Sequence, residues 1–172
     1  MELLMKTNSL YIHIPFCETI CSYCDFCKIY YQKDLVNNYL KMLHEELKAL
    51  SITSALKTIY IGGGTPSSLS NQQLEYLLEM ISSYIDSKTA EICIEVNPES
   101  MDTEKLKILK KGKVNRLSIG VQTFNEEILN VLERKHSNQQ VFELIDEAQK
   151  IGFTNISIDL MYGLPNQTIE DI

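Results

Sequence analysis

Hydrophobic and polar residues alternate in five short segments, and apolar stripes of helical period separate most of them. The segments "SLYIHIP", "TIYIGG", "AEICIEV", "VNRLSIGVQ" and "TNISIDLMYGLP" predict strands. Four helices are predicted from apolar stripes and capping residues. The first carries the stripe Leu35, Tyr39, Leu43, Leu47 and Leu50, and the second follows a Ser70 cap and carries Leu74, Leu77, Leu78, Ile81 and Ile85. The third begins near Thr103 and ends at Gly112, and the fourth runs from Ser137 to a Gly152 C-cap and carries Val141, Leu144, Ile145, Ala148 and Ile151. Repeated strand–helix units predict an α/β fold with a parallel sheet, either open or barrel-shaped.

Each predicted strand is aliphatic on one face only. Ile92, Ile94 and Val96, for example, alternate with Glu91, Cys93 and Glu95. If the aliphatic faces pack on the helices, the polar faces line the interior of a curved sheet, where a polar ligand would fit. An antiparallel sheet with one solvated face is the alternative, although the helices between most strands favour the parallel arrangement.

Charge and hydropathy limit the classes of function. The net charge is −7 and the chain has only two arginines, which is not the pattern of a nucleic-acid-binding protein. The opening "MELLMKTNSLYIHIPF" does not have the layout of a signal peptide, and no apolar run reaches the length of a membrane span. We therefore expect a cytoplasmic protein with no membrane span and no nucleic-acid partner.

Four of the five cysteines, Cys17, Cys21, Cys24 and Cys27, lie within eleven residues. In a reducing compartment such clustering favours a metal site over disulfides. A zinc site would have to draw its ligands from one tight loop, with His13 as a possible substitute. The C-x3-C-x2-C triplet suits three corners of a [4Fe–4S] cluster and leaves one iron without a protein ligand. Cys93, between two isoleucines, is interpreted as a small apolar core residue.

The segment "YIHIPFCETICSYC" resembles the opening of the radical S-adenosylmethionine (SAM) enzymes, in their oxygen-independent coproporphyrinogen III oxidase-like branch. The blocks "YIGGGTPSSL", "IEVNPES", "LSIGVQTFNEEILNVLERKH" and "SIDLMYGLP" extend the resemblance over nearly the whole chain. It implies a parallel (β/α) partial barrel of about five strand–helix units, truncated before closure. Residues 1–172 would then form an incomplete radical SAM core domain.

The resemblance also implies a set of cofactor ligands. Cys17, Cys21 and Cys24 would bind the [4Fe–4S] cluster, and the amino and carboxylate groups of SAM would chelate the fourth iron. Reduction would then split SAM into methionine and a 5′-deoxyadenosyl radical. The residues matched to SAM contacts are Tyr11, Tyr23, Gly62, Gly63, Gly64, Thr65 and Glu95, with Gln122, Arg134 and Asp159 matched to a second SAM.

Most of these residues also have a purely structural interpretation. Tyr11 could pack in the core, and the three glycines could serve a loop that needs positive φ. Glu95 and Asp159 could pair with Arg116 or a helix N-terminus. Arg134 could be a solvated helix charge, and Gln122 could satisfy backbone groups inside the barrel.

Two features resemble the heme-chaperone branch of the family. Phe26 stands where the coproporphyrinogen-oxidising relatives carry a fourth cysteine, and "CSYCDF" follows a short N-terminus, with only ten residues before Tyr11. The resemblance implies a protein that binds heme, or a related tetrapyrrole, and passes it to an acceptor protein, with flavodoxin or ferredoxin as the type of reductant. Coproporphyrinogen III oxidation is the second interpretation, and a structural zinc module is the third.

The relatives continue beyond "QTIEDI" to a sixth strand and a helical C-terminal domain. We therefore expect the fifth strand to have an unpaired edge, and we expect the isolated chain to self-associate through it.

Overall fold

The computed structural model describes residues 8–50, 52 and 56–171, and its main feature is a parallel sheet flanked by helices. The strands are β1 (Ser9–Ile14), β2 (Phe16–Cys17), β3 (Ile29–Tyr30), β4 (Thr58–Gly63), β5 (Glu91–Val96), β6 (Arg116–Gln122) and β7 (Asn155–Leu160). The α-helices are α1 (Lys33–Ala49), α2 (Asn71–Ile81), α3 (Thr103–Lys111), α4 (Glu126–Val131) and α5 (Asn138–Ile151). Five strands form one sheet in the order β1-β4-β5-β6-β7, and every neighbouring pair is parallel.

This topology confirms the predicted parallel α/β fold, and the antiparallel alternative is wrong. The five strands keep the order of the chain, as expected when each returns through a right-handed crossover. No pairing between the two outer strands closes a barrel within the residues described. None of the described helices has the length and hydropathy that a bilayer crossing requires.

The predicted helix ends are confirmed where side chains cap them. Ser70 and Ser137 each accept a bond from the backbone N–H three residues on, and a glutamine there completes the capping box. Gly152 ends α5 with φ +102, a left-handed conformation that favours glycine. The last predicted strand is shorter than expected, because β7 ends at Leu160 and residues 161–165 lie outside it.

The apolar stripe that predicted α1 coincides only in part with the buried face of that helix. Val36 and Leu40 are buried together with Leu47, whereas Leu35 and Leu50 are exposed. The sequence places apolar residues next to each other at 35–36 and 39–40, so its period alone does not say which of each pair faces the sheet. The predicted stripe of α2 is too long, because Ile85 lies beyond the helix, which ends at Ile81 and is followed by a short 3-10 helix.

The aliphatic faces of the first four long strands form the core with the helices. On β5 and β6, for example, Ile94 and Ile119 are fully buried. On β7 the equivalent side chains are less covered, and Ile158 and Leu160 are 38% and 41% exposed. The opposite, polar face and the loops after the strands therefore remain to form a site.

Candidate metal and cofactor site

The cysteine loop is closed at its base by a two-residue parallel pairing that the sequence analysis did not predict. The Ile29 N–H donates to the Pro15 carbonyl, and the Tyr31 N–H donates to the Cys17 carbonyl, each at 2.8 Å. Residues 18–28 thus form a loop anchored directly after β1. This anchor holds the cysteines at the carboxyl end of the sheet, where α/β proteins bind ligands.

The three cysteines of the triplet differ in exposure. Cys17 is buried, and Cys21 and Cys24 are half-buried. Burial raises the pKa of the Cys17 thiol, a hydrogen bond from Thr65 lowers it, Cys24 and Cys21 raise it, and Lys28 lowers it. The geometry shows the hydrogen bond directly, since the Thr65 hydroxyl donates to the Cys17 sulfur at 3.3 Å.

The donor set fits an iron–sulfur cluster. Among the described residues no group of three His, Cys, Asp or Glu side chains is arranged to hold a single metal ion. A [4Fe–4S] cluster makes a different demand, because each thiolate binds a separate iron. At Gly64 a Cβ would lie 3.0 Å from the Cys17 sulfur and 2.8 Å from the Pro15 carbonyl carbon, so only a glycine lets the backbone pack this closely against Cys17.

The remaining two cysteines lie in different surroundings. Cys27 is exposed, and its carbonyl accepts a 2.9 Å bond from His13 Nε2. Cys93 is fully buried in β5, and burial raises the pKa of its thiol to about 11. These environments match the interpretation of Cys93 as a core residue and leave Cys27 outside the triplet.

A hydrogen-bond network covers the polar face of β1, β4 and β5. His13 Nε2 donates to the Cys27 carbonyl at 2.9 Å, and Nδ1 of the same ring lies 2.9 Å from the Tyr11 hydroxyl. Glu95 accepts from the Tyr60 hydroxyl at 2.7 Å and from the Gly63 N–H at 2.9 Å. Both oxygens of this carboxylate are therefore held in place by protein donors.

The alternative in which Glu95 and Asp159 pair with Arg116 is not found among the described contacts of these residues. Arg116 instead contacts Glu91, at 3.2 Å, and Asp159 accepts from the Ser118 hydroxyl at 3.1 Å. Tyr11 does not pack in the core either, since it is 56% exposed. Tyr11 and Glu95 therefore remain on the face that the sequence analysis assigned to a ligand.

The glycines at 62–64 do more than leave space for a ligand. A Cβ on Gly62 would lie 2.7 Å from the Glu95 carboxylate, and one on Gly63 would lie 2.5 Å from the His13 ring. Gly63 also has φ +118, a value that favours glycine. The positive-φ interpretation is thus confirmed at Gly63, and protein side chains fill the positions next to the backbone.

Arg134 is buried, so its interpretation as a solvated helix charge is wrong. Its Nη2 donates to the Gly120 carbonyl at 2.7 Å and lies 3.5 Å from Glu99 Oε2. His136 Nδ1 lies 3.4 Å from the same oxygen. Burial raises the pKa of Glu99, but His136 and Arg134 lower it more, so the net value is below the usual one. Glu99 is therefore ionised at neutral pH.

Gln122 and Tyr23, two further residues predicted to contact SAM, lie near Arg134. Gln122 has φ +71 where the pairing of β6 with β7 is irregular, and strained backbone of this kind often marks a functional site. Tyr23 lies within the cysteine triplet. Burial raises the pKa of its hydroxyl, Cys21 raises it too, and Arg134 lowers it.

A cavity of about 230 Å³ opens beside the cysteine loop. Its lining includes three predicted residues, Cys21, Thr65 and Arg134, together with Asn97 and Glu99. The other predicted site residues lie outside its lining, namely Tyr11, Cys17, Tyr23, Cys24, Gly62, Gly63, Gly64, Glu95, Gln122 and Asp159. The predicted site residues do not include Asn97 and Glu99, although the two carboxylates and the amide of "IEVNPES" are a signal of a polar site. They also do not include Tyr60, which lies in "TIYIGG" and donates to Glu95.

Parallel strand–helix units with a three-cysteine loop after the first strand define the class of protein. The chain belongs to the radical SAM superfamily, whose family model matches residues 11–172. Membership implies a [4Fe–4S] cluster and SAM as cofactors.

Relatives of two kinds are similar to the chain over nearly its whole length. The chain is 49% identical over 170 residues to "Heme chaperone HemW" of Bacillus subtilis, covering 96% of this chain and 45% of that protein. It is 38% identical over 167 residues to the oxygen-independent coproporphyrinogen III oxidase of Escherichia coli, covering 94% of this chain and 36% of that protein. The solved structure of coproporphyrinogen III oxidase (HemN) from Escherichia coli superimposes with a TM-score of 0.88 at 35% identity, covering 96% of this chain and 39% of the solved one. The chain thus spans less than half the length of these relatives.

Proposed function

We propose that the protein is a heme chaperone of the radical SAM type, which binds heme and passes it to an acceptor protein. The observation that carries the proposal is the 49% identity to a protein named heme chaperone, against 38% to the coproporphyrinogen oxidase. A cytoplasmic location and a reductant of the flavodoxin or ferredoxin type belong to the same proposal.

In this proposal Cys17, Cys21 and Cys24 hold the cluster. When bound, the cluster supplies one iron that lacks a protein ligand and can take the amino and carboxylate groups of SAM. The residues proposed to contact SAM are Tyr11, Tyr23, Gly63, Gly64, Thr65, Glu95, Gln122, Arg134 and Asp159. Their support is that two of them, Thr65 and Arg134, line one cavity together with the proposed cluster ligand Cys21, and that Glu95 is held rigidly by Tyr60 and Gly63.

Oxidation of coproporphyrinogen III is the second candidate. The TM-score of 0.88 to the oxidase structure supports it, because the two folds share the same core. Phe26 argues against it. This residue occupies the place of the oxidases' fourth cysteine. Because Phe26 is 71% exposed, packing does not explain why a phenylalanine stands there instead of a cysteine.

Iron analysis of cysteine variants tests the cluster site. Anaerobically reconstituted protein should hold about four irons per chain, and alanine at Cys17, Cys21 or Cys24 should abolish the cluster. Cys27→Ala is the matched control, since it removes a cysteine of the same loop and should retain the iron. Equal losses in all four variants, or stoichiometric zinc without sulfide, would contradict the assignment.

Two assays separate the chaperone from the oxidase. The protein should bind added heme, as measured by a shifted Soret band, and should transfer it to an apo-acceptor. Under anaerobic, reducing conditions with SAM, it should not convert coproporphyrinogen III into protoporphyrinogen IX. Formation of that product would reverse the order of the two candidates.

A further inference from the structure

A chain of hydrogen bonds runs from Asn97 to a ligand of the proposed cluster. The Thr65 hydroxyl donates to the Cys17 sulfur at 3.3 Å, and Asn97 Nδ2 donates to Thr65 Oγ1 at 3.3 Å. Thr65 and Cys17 are 8% and 6% exposed, so water competes little for either bond. The three residues come from the loops after β5, after β4 and from β2.

Asn97 fixes the direction of the Thr65 hydroxyl. A threonine hydroxyl has one hydrogen to donate and lone pairs to accept with. Because the Asn97 amide nitrogen can only donate, the Thr65 oxygen is the acceptor in that bond, and its own hydrogen remains available for the sulfur. A hydroxyl without this partner would be free to turn away from Cys17.

Asn97 is itself held in position from two sides. Its backbone N–H donates to Ser67 Oγ at 2.9 Å, and its carbonyl accepts from Ser100 Oγ at 3.1 Å. Lys105 Nζ donates to the backbone carbonyls of Ser67 and Ser100, at 2.7 and 2.8 Å, and so connects the two loops that carry Thr65 and Asn97. The geometry is therefore preorganised before any cofactor binds.

A hydrogen bond to a cluster sulfur favours the more negatively charged state of the cluster, and bonds of this kind are among the determinants of iron–sulfur reduction potentials. We propose that Asn97 is a positioning residue that, through the Thr65 hydroxyl, raises the reduction potential of the [4Fe–4S] cluster. The inference rests on the proposed cluster site and adds to it a determinant of how easily the cluster is reduced.

The test is a mediated redox titration of the reconstituted protein, followed by the electron paramagnetic resonance signal of the reduced cluster. SAM is left out, because Thr65 is also a proposed SAM contact. Thr65→Val removes the hydroxyl at nearly constant shape and should lower the equilibrium constant for reduction about tenfold, which is about 59 mV for one electron. Thr65→Ser keeps the hydroxyl and should restore the wild-type potential.

Asn97→Asp tests whether the amide acts through Thr65. A carboxylate can only accept, so it should turn the Thr65 hydrogen away from Cys17 and lower the potential. The effect of the new negative charge on the potential is measured separately by making Asn97→Asp in the Thr65→Val background, where the decrease in potential should be smaller. Thr58→Val is the matched control, since Thr58 lies at the far end of β4 and donates to Ser9 rather than to the loop.

The outcomes distinguish this inference from the proposed cluster site. A wild-type protein that holds no cluster overturns both. Intact clusters with equal potentials in wild type and Thr65→Val overturn the inference alone. Equal decreases from Asn97→Asp with and without the Thr65 hydroxyl would show a charge effect only, and would overturn the role of Asn97.

Discussion

Replacing Gly63 by alanine should damage the protein at two levels, the backbone and the cysteine loop. At φ +118 a side chain introduces strain of about 1–3 kcal/mol. Its Cβ would also lie 2.5 Å from the His13 ring, which therefore has to move. Movement of the ring breaks its bonds to the Tyr11 hydroxyl and to the Cys27 carbonyl, each contributing about 0.5–1.5 kcal/mol.

Gly152→Ala is a matched control for the backbone strain. Gly152 has a similar φ of +102, but a Cβ there would meet only the Lys110 side chain, at an ordinary 3.7 Å. Both variants should therefore lose about 1–3 kcal/mol of unfolding free energy, and Gly63→Ala should lose about 1–3 kcal/mol more. Urea denaturation of both variants measures this difference.

The same pair of variants reports on the loop. Because His13 connects β1 to the Cys27 carbonyl, its displacement should lower the iron retained after reconstitution in Gly63→Ala and leave it unchanged in Gly152→Ala. Equal stability losses in the two variants, with equal iron contents, would refute the reasoning that His13 holds the cysteine loop.

Three other predictions concern reactivity, pH and the edge of the sheet. Iodoacetamide should quickly alkylate the exposed Cys27 in the native apoprotein. Cys93 should stay unmodified, because it is buried and the pKa of its thiol is raised to about 11. Fast labelling of Cys93, measured by mass spectrometry, would contradict the burial of this side chain. Since the folded-state pKa of Glu99 is lowered, its charge stabilises the fold above the unfolded pKa of about 4.3, and this contribution is lost as pH falls through the lower folded value. The stability difference between wild type and Glu99→Gln should therefore shrink as urea denaturation is repeated from pH 6 to below pH 4, and a constant difference would exclude this linkage. Amides of β7, which pairs with β6 alone among the described strands, should exchange hydrogen faster than those of β4, which lies between β1 and β5, and equal protection would show that the edge is stable by itself.

Local sequence signals were sufficient to predict most of the elements and to propose the metal ligands. Ser70 and Ser137 place helix starts because a capping box is formed by residues only three positions apart. The period of two in the strands separates an aliphatic face from a polar one, and the spacing of Cys17, Cys21 and Cys24 is itself a ligand pattern. None of these inferences required knowledge of which strands are neighbours.

The tertiary structure decided which side chains meet. Asn97, Thr65 and Cys17 are separated by 32 and 48 positions in the chain, and they come together because β5 and β4 are neighbours in the sheet and the loop after β4 packs on β2. The buried face of α1 was likewise settled by packing against the sheet, since its sequence offers apolar residues on two adjacent faces. Caps, strand alternation and ligand spacing depend on neighbours along the chain, so they can be predicted from the sequence alone. Hydrogen bonds and packing contacts between distant segments depend on strand order and register, which short-range sequence patterns do not encode.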